Sequence, residues 1–256
     1  MKISQRLQQI NQMVEQGYDH IWDCCCDHGL LGMLLLQRNA APKVHFVDCV
    51  APLMQQLSLE LARFFPPHHE TENTDLALSE WQVHCLDVAA LPLAHYGKQA
   101  KHLVIIAGVG GELLVELVRS IVSCYSQYHS DNHNHSYHSC PLEFILCPVH
   151  HNYHVRSSLA ELGLSLKQEY LLQENQRFYE ILHLTQSKAT SEANEASPLC
   201  ATGSIMWQGL DADKTSQAKR YLVQTISHYQ RIPESRLPNK AQIVAAYQQI
   251  LRQLSN

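Results

Sequence analysis

The chain has 256 residues, 45% hydrophobic and 17% charged, enough to bury one core of about 150 to 200 residues and to carry a smaller appendage. This composition excludes disordered and collagenous chains, and the longest apolar runs, Leu30 to Leu36 and Leu103 to Val109, fall far short of the ~20 residues that cross a bilayer. The net charge of −5 is uneven: residues 211–256 hold seven Lys/Arg against three Asp/Glu, so a segment of +4 follows a body of −9, which fits either a solvated helical face or a basic arm for a polyanion.

The nine cysteines include the consecutive Cys24, Cys25 and Cys26, whose side chains alternate in direction in a strand, so no disulfide framework is expected. The first residues are polar and amphipathic and lack the apolar core of a secretion signal. A cytoplasmic protein with no membrane contact is the expectation, and nothing calls for an obligate protein partner.

Ile3, Leu7, Ile10 and Val14 recur at helical spacing before Gly17, predicting an opening amphipathic helix over 3–16. His20 to Cys26 reads as a strand, Asp27-His28-Gly29 as a turn, and Leu30 to Leu35 as a helix. The unit repeats with a strand at Val44 to Asp48 and a helix at Ala51 to Phe65, stopped by Pro66-Pro67. A third strand follows at Trp81 to Leu86. Leu103 to Ala107 is continuously apolar, as in a parallel strand covered on both faces, and Gly108-Val109-Gly110-Gly111 turns it into a helix over Glu112 to Ser126. Residues 127–139 read as an exposed loop. Glu143 to Cys147 gives a fifth strand, His151 to Leu162 a helix, and Ser165 to Leu172 with Phe178 to Gln186 an antiparallel pair. These units predict a doubly wound α/β sheet with a reversed edge strand. Small polar residues over 187–197 read as a linker. Beyond it, Ala218, Leu222, Ile226 and Tyr229, then Val244, Tyr247, Leu251 and Leu254, form two helical stripes separated by Pro233 and Pro238, a helical hairpin. The expected division is residues 1–186 and 198–256.

Ligands of such a sheet sit beyond the carboxyl ends of its strands. The first strand runs into Asp23-Cys24-Cys25-Cys26-Asp27-His28-Gly29, the second ends at Asp48 and the third at Asp87. An acid after the second strand can accept the ribose hydroxyls of an adenine nucleoside, and one after the third can accept its amino group. That pattern suits S-adenosylmethionine. It does not suit ATP, since no GxxxxGK[ST] loop exists, nor a dinucleotide, since GxGxxG is missing after the first strand.

Asp23-Cys24-Cys25-Cys26-Asp27-His28-Gly29-Leu30-Leu31, Val104-Ile105-Ile106-Ala107-Gly108-Val109-Gly110-Gly111 with Glu112-Leu113-Leu114, Ser4-Gln5-Arg6-Leu7, and Glu174 with Tyr179-Glu180-Ile181 resemble, in order and spacing, the motifs of the bacterial tRNA (adenine-22)-N1-methyltransferases of the TrmK group. The resemblance covers residues 4–184. It implies a Rossmann-like class I methyltransferase sheet with a C-terminal helical hairpin, S-adenosylmethionine as cofactor, tRNA as partner and methylation at N1 of an adenine.

It further implies a cofactor site of Asp23, Cys25, Asp27, Gly29, Asp48, Asp87, Ala107, Gly108 and Gly110, and catalytic roles for Asp27 and His28. Cys25 stands where the family has glycine, Leu86-Asp87-Val88-Ala89 keeps only the acid of Gly-Asp-Gly-Leu, and Cys147-Pro148 stands for Gln-Pro. A Cβ at Cys25 would crowd the cofactor's amino acid moiety. Asp27 has a second reading as cap of the following helix. Expected nucleic-acid contacts are Arg6, Lys101, Arg156, Lys219, Arg220 and Lys240. No metal site is expected: Cys147, His150 and His154 have ligand-like spacing and His129, His133, His135 and His138 cluster in a loop, but no paired CxxC supports either. The residues leave two other functions open, a small-molecule methyltransferase of the same fold and a family member that has lost catalysis and binds RNA or protein.

Overall fold

The computed structural model describes residues 3–66, 79–130, 140–186 and 196–255. Helix α1 (Gln5–Met13) starts at Ser4, whose side chain accepts a hydrogen bond from the Leu7 N–H. Then follow β1 (His20–Cys24), α2 (Leu30–Gln37), β2 (Lys43–Asp48), α3 (Ala51–Phe64), β3 (Glu80–Cys85), β4 (His102–Ala107), α4 (Gly111–Ser130), β5 (Leu142–Cys147) and α5 (Asn152–Glu161). Strands β6 (Ser165–Glu174) and β7 (Arg177–Gln186), the two-residue β8 (Ser197–Pro198), and helices α6 (Ala212–Arg231) and α7 (Lys240–Gln253) complete the chain.

The strands form one sheet in the order β3-β2-β1-β4-β5-β7-β6-β8. The first five pair in parallel, and β7 runs antiparallel between β5 and β6. The reversed strand is therefore internal, not at the edge as expected. Its neighbour β6 can turn back on it only through the tight Asn175-Gln176 turn, both residues left-handed at φ 48° and 63°. The linker expected over 187–197 lies outside the described residues but for its end, where Ser197 pairs with Leu166 as part of β8.

Alternation along the strands divides the core in two. Trp22, Cys24, Val104, Ile106, Phe144 and Leu146 face α4 and α5; Ile21, Phe46, Leu103, Ile105 and Ile145 face α1, α2 and α3. Helix α2 is apolar nearly all round because it is squeezed between β2 and α1. Gly32 in it lies so close to Phe46 that a Cβ would come within 2.2 Å of the ring. The C-terminal hairpin has its own cluster of Tyr221, Leu222, Tyr229, Ile243 and Tyr247, joined by Tyr153 of α5 and Phe178 of β7. Among the described residues no helix is long and apolar enough to cross a membrane.

Candidate active site

The chain leaves β1 at Cys24 and reaches α2 through a turn in which Cys25, Asp27 and Gly29 all have positive φ, 54°, 49° and 66°. The expected strand through Cys26 thus stops at Cys24. Cys25 is half-buried in the turn, and Cys26 is buried with its N–H donating to Val47 O at 3.2 Å. Only glycine adopts this backbone freely; a β-carbon there costs about 1–2 kcal/mol. At Gly29 the open side is needed as well, since a Cβ would meet Leu57 at 2.7 Å. The alternative in which Asp27 caps α2 is corrected: Gly29 occupies the cap position and no side chain bonds there. The Asp27 carboxylate is exposed, 3.6 Å from His28 Nε2.

Asp23 is buried and accepts the Gly32 N–H at 2.8 Å, bolting the end of β1 to α2. Burial raises its carboxyl to about 7, the Gly32 N–H opposes this, and the nearby Asp48 charge adds to it. Asp48 accepts from the Val50 N–H at 3.1 Å and the Asp27 N–H at 3.3 Å. Asp87 is exposed and caps a short 3₁₀ turn through the Ala89 N–H at 2.9 Å. The carboxylates converge on Cys25: its thiol is pushed up to about 11, by burial first and then by Asp48, Cys49, Asp23 and Asp87. Burial and those charges disfavour the thiolate, the nucleophilic form.

On the other side of the cleft, Ala107 ends β4 and Gly108 turns at φ 85°, donating its N–H to Cys147 O at 3.0 Å. Arg6 reaches across from α1: its guanidinium lies 3.5 Å from where a Gly108 Cβ would stand and 5.0 Å from the centre of the Tyr179 ring. Its Nε is buried without a partner. Arg6 therefore belongs to the cleft rather than to an outer surface. Gly110 lies under His150, whose ring would be 3.0 Å from a Cβ.

Arg156 is corrected outright as a nucleic-acid contact. It is fully buried, with Glu169 at 2.7 Å and Glu180 at 2.5 Å, because α5 packs that face onto β6 and β7. Lys101 precedes β4, at the end of the sheet away from the cleft. Lys240 donates to Ile232 O at 3.0 Å and closes the hairpin turn. Arg220 is exposed and donates to Gln173 Oε1 at 2.8 Å, and Lys219 is half-exposed beside it. Cys147, His150 and His154 are not gathered as a ligand set, and the loop histidines fall outside the described side chains. Sequence reasoning missed Tyr179, Glu112 and His151 as residues of the cleft rim; Tyr179 and Glu112 stood in the quoted motifs but carried no role.

An eight-stranded sheet with β7 reversed inside it, opening at strand-end carboxylates and a glycine turn, defines the class I methyltransferase architecture. A family model described as a methyltransferase domain matches residues 3–182, and the chain belongs to that family. No curated protein sequence matches it. Among solved structures it is similar to the M. capricolum TrmK complex with S-adenosyl-homocysteine (14% identity, 100% and 99% of the chains covered, TM-score 0.64). It is also similar to the B. subtilis M1A22 tRNA methyltransferase TrmK (17%, 100% and 99%, TM-score 0.60). Streptococcus pneumoniae Sp1610, with S-adenosyl-L-methionine bound, is a third (17%, 100% and 100%, TM-score 0.64). At these identities the likeness is one of fold, and it extends through the C-terminal helices.

Proposed function

We propose that this protein uses S-adenosylmethionine to methylate N1 of an adenine in tRNA, residues 1–186 carrying the chemistry and 198–256 engaging the tRNA, in the cytoplasm. The observation that carries the reading is the gathering of Asp23, Asp48 and Asp87 around the Cys25 turn, with Asp27 exposed in that turn and no Lys or Arg paired to any of the four among the described residues. A donor set of uncompensated carboxylates fits a ligand bearing both a sulfonium and an ammonium, and it repels polyphosphates. Whole-chain similarity to TrmK structures supports the tRNA substrate.

In this reading Asp48 takes the ribose hydroxyls and Asp87 the adenine amino group. Asp23 fixes the turn whose backbone, with that of Gly29, Ala107, Gly108 and Gly110, lines the rest of the cofactor. When bound, S-adenosylmethionine supplies an electrophilic methyl group. The adenine N1 has a lone pair and no proton to lose, so the protein's task is alignment and charge. Asp27, exposed at the mouth with His28 beside it, stabilises the positive charge that grows on the base as N1 is alkylated. A cleft of about 770 Å³ between the β6–β7 turn and α6, lined by Arg177, Tyr179, His228 and Arg231, leads from the hairpin to His150 and gives the nucleic acid a basic approach. Lys219 and Arg220 extend that basic face.

The test is transfer of labelled methyl from S-adenosylmethionine to bulk tRNA, followed by nucleoside analysis. The expected product is 1-methyladenosine. Cofactor binding without label transfer to tRNA would point to a small-molecule substrate. Absence of cofactor binding by calorimetry would overturn the enzymatic reading in favour of a non-catalytic family member.

A further inference from the structure

A second constellation of ligand-type residues stands at the rim of the cleft, outside the residues assigned to methyl transfer. Glu112 opens α4, and His150 and His151 form the turn between β5 and α5. His151 Nδ1 is in hydrogen-bond contact with Glu112 Oε1, and His150 Nδ1 lies 4.0 Å from Glu112 Oε2. One donor atom from each residue lies within 4.8 Å of the other two, and all three residues are exposed.

The backbone fixes this arrangement. The Val149 N–H donates to Val109 O at 3.0 Å and the Gly108 N–H to Cys147 O at 3.0 Å, stitching the β5–α5 turn to the β4–α4 turn. Gly111 allows the two to close: a Cβ there would be 2.7 Å from His150 O. His151 is held at φ 64°, a left-handed conformation that costs a residue with a Cβ about 1–2 kcal/mol, and this directs its ring onto Glu112.

We propose that Glu112, His150 and His151 bind one divalent first-row transition metal ion of the zinc class. Two imidazoles and a carboxylate are borderline ligands that suit Zn²⁺, Co²⁺ or Ni²⁺; Mg²⁺ and Ca²⁺ prefer oxygen alone. Metal–ligand distances of about 2.0–2.2 Å need donors a little over 3 Å apart, so the exposed His150 ring has to swing inward from its 4.0 Å separation, and the His151–Glu112 hydrogen bond has to open, its proton giving way to the metal. Glu112 is the charged member that makes a cation preferable to water there. Three protein ligands leave at least one coordination position open, beside Gly110 at the cleft mouth. The inference does not rest on the methyl-transfer reading, since neither the residues nor the test involve the methyl donor.

The experiment is a titration of Co²⁺ into the full-length, fully reduced chain, followed by visible absorbance and by competition with Zn²⁺. The expected result is saturation at about one ion per chain, with weak d–d bands and no thiolate charge-transfer band. Glu112→Gln and His151→Asn, the latter keeping a residue that tolerates positive φ, should each weaken binding by about tenfold or more. A variant carrying His133→Gln, His135→Gln and His138→Gln should bind as the parent does. Affinity unchanged in the first two variants, saturation only in a thiolate band, or no saturation below about 1 mM would overturn the assignment. Since the three residues are exposed, thermal melts should match the parent; if either variant unfolds, His150→Gln replaces it and is read by the same criterion.

Discussion

Two clusters of charge stand in this molecule, and they are built on opposite principles. In the buried one, Arg156 of α5 is enclosed by Glu169 of β6 and Glu180 of β7. Glu169 also accepts the N–H groups of Ser204 at 2.6 Å and Met206 at 3.0 Å, and Tyr221 of α6 donates its hydroxyl to Glu180. Every charge there has a partner, and the cluster fastens the segment before α6, and α6 itself, to the sheet. Around Cys25, the carboxylates of Asp23, Asp48 and Asp87 gather with backbone N–H groups alone to answer them, and Asp27 stands exposed in the same turn with His28 3.6 Å away. The first group is compensated within the protein; the second has no Lys or Arg partner among the described residues.

The sharpest way to break that comparison is to remove one member from each cluster. Glu180→Ala leaves Arg156 and the Tyr221 hydroxyl buried with a partner gone, and should cost about 3–5 kcal/mol, read as a lowered urea midpoint. Asp27→Asn keeps a residue that tolerates φ 49° and should change stability by less than about 0.5 kcal/mol, while turnover of tRNA falls about 100-fold. Equal losses of stability in the two variants would mean that the open cluster is structural after all.

The same contrast explains what was legible. Strands β2, β4 and β5 read to within a residue, and β1 two residues too long, because both faces of a parallel sheet are covered, so their largely apolar runs are short. That carboxylates stand after β2 and β3, at Asp48 and Asp87, was legible because strand ends are positions and can be counted. Arg156 was misread because an arginine on an amphipathic helix has the local pattern of a surface residue; what buries it, Glu169 and Glu180, lies on other strands. A signal was present in Glu180, an acid set among the apolar Phe178, Tyr179, Ile181 and Leu182. The internal position of β7 was hidden for a related reason: an antiparallel pair is visible in the chain, but which member meets β5 is decided by packing.

A histidine row on the α4 face of the sheet sharpens the comparison by pH. His45 hydrogen-bonds with His20 at 3.0 Å and with His84 at 2.9 Å, and stacks on Trp22 with ring centroids 3.8 Å apart. Burial, then His84, His20, Lys43 and His102, lower its pKa to about 2 from the ordinary 6.5. The unfolded chain therefore takes up a proton at this site that the folded chain refuses. Stability is fully present above pH 6.5 and is lost as pH falls toward 2, by about 1.4 kcal/mol per unit from this group alone. Urea unfolding at pH 7.5, 6, 5 and 4 should show little loss above pH 6.5 and approach this slope below about pH 6, and His45→Gln should reduce the slope there by about one proton. A slope unchanged in that variant would assign the acid sensitivity elsewhere in the row.

The smallest change tests the open cluster from within. Cys25 carries φ 54°, a backbone that glycine adopts freely, and burial first, then the charges of Asp48, Asp23 and Asp87, raise its thiol to about 11. Removing the Cβ relieves a left-handed strain of about 1–2 kcal/mol but frees the unfolded chain by about 0.5–1 kcal/mol. Cys25→Gly should therefore stabilise the protein by up to about 1.5 kcal/mol, a shift of a few degrees in Tm. Its effect on the cofactor is separable from its effect on the backbone. If the Cβ crowds the cleft, calorimetry should find S-adenosylmethionine bound more tightly by Cys25→Gly than by the parent, while Cys25→Ala, which keeps the Cβ, should bind as the parent does. Should both variants tighten binding equally, the obstruction is the sulfur rather than the Cβ, and the turn already has the shape that the cofactor requires.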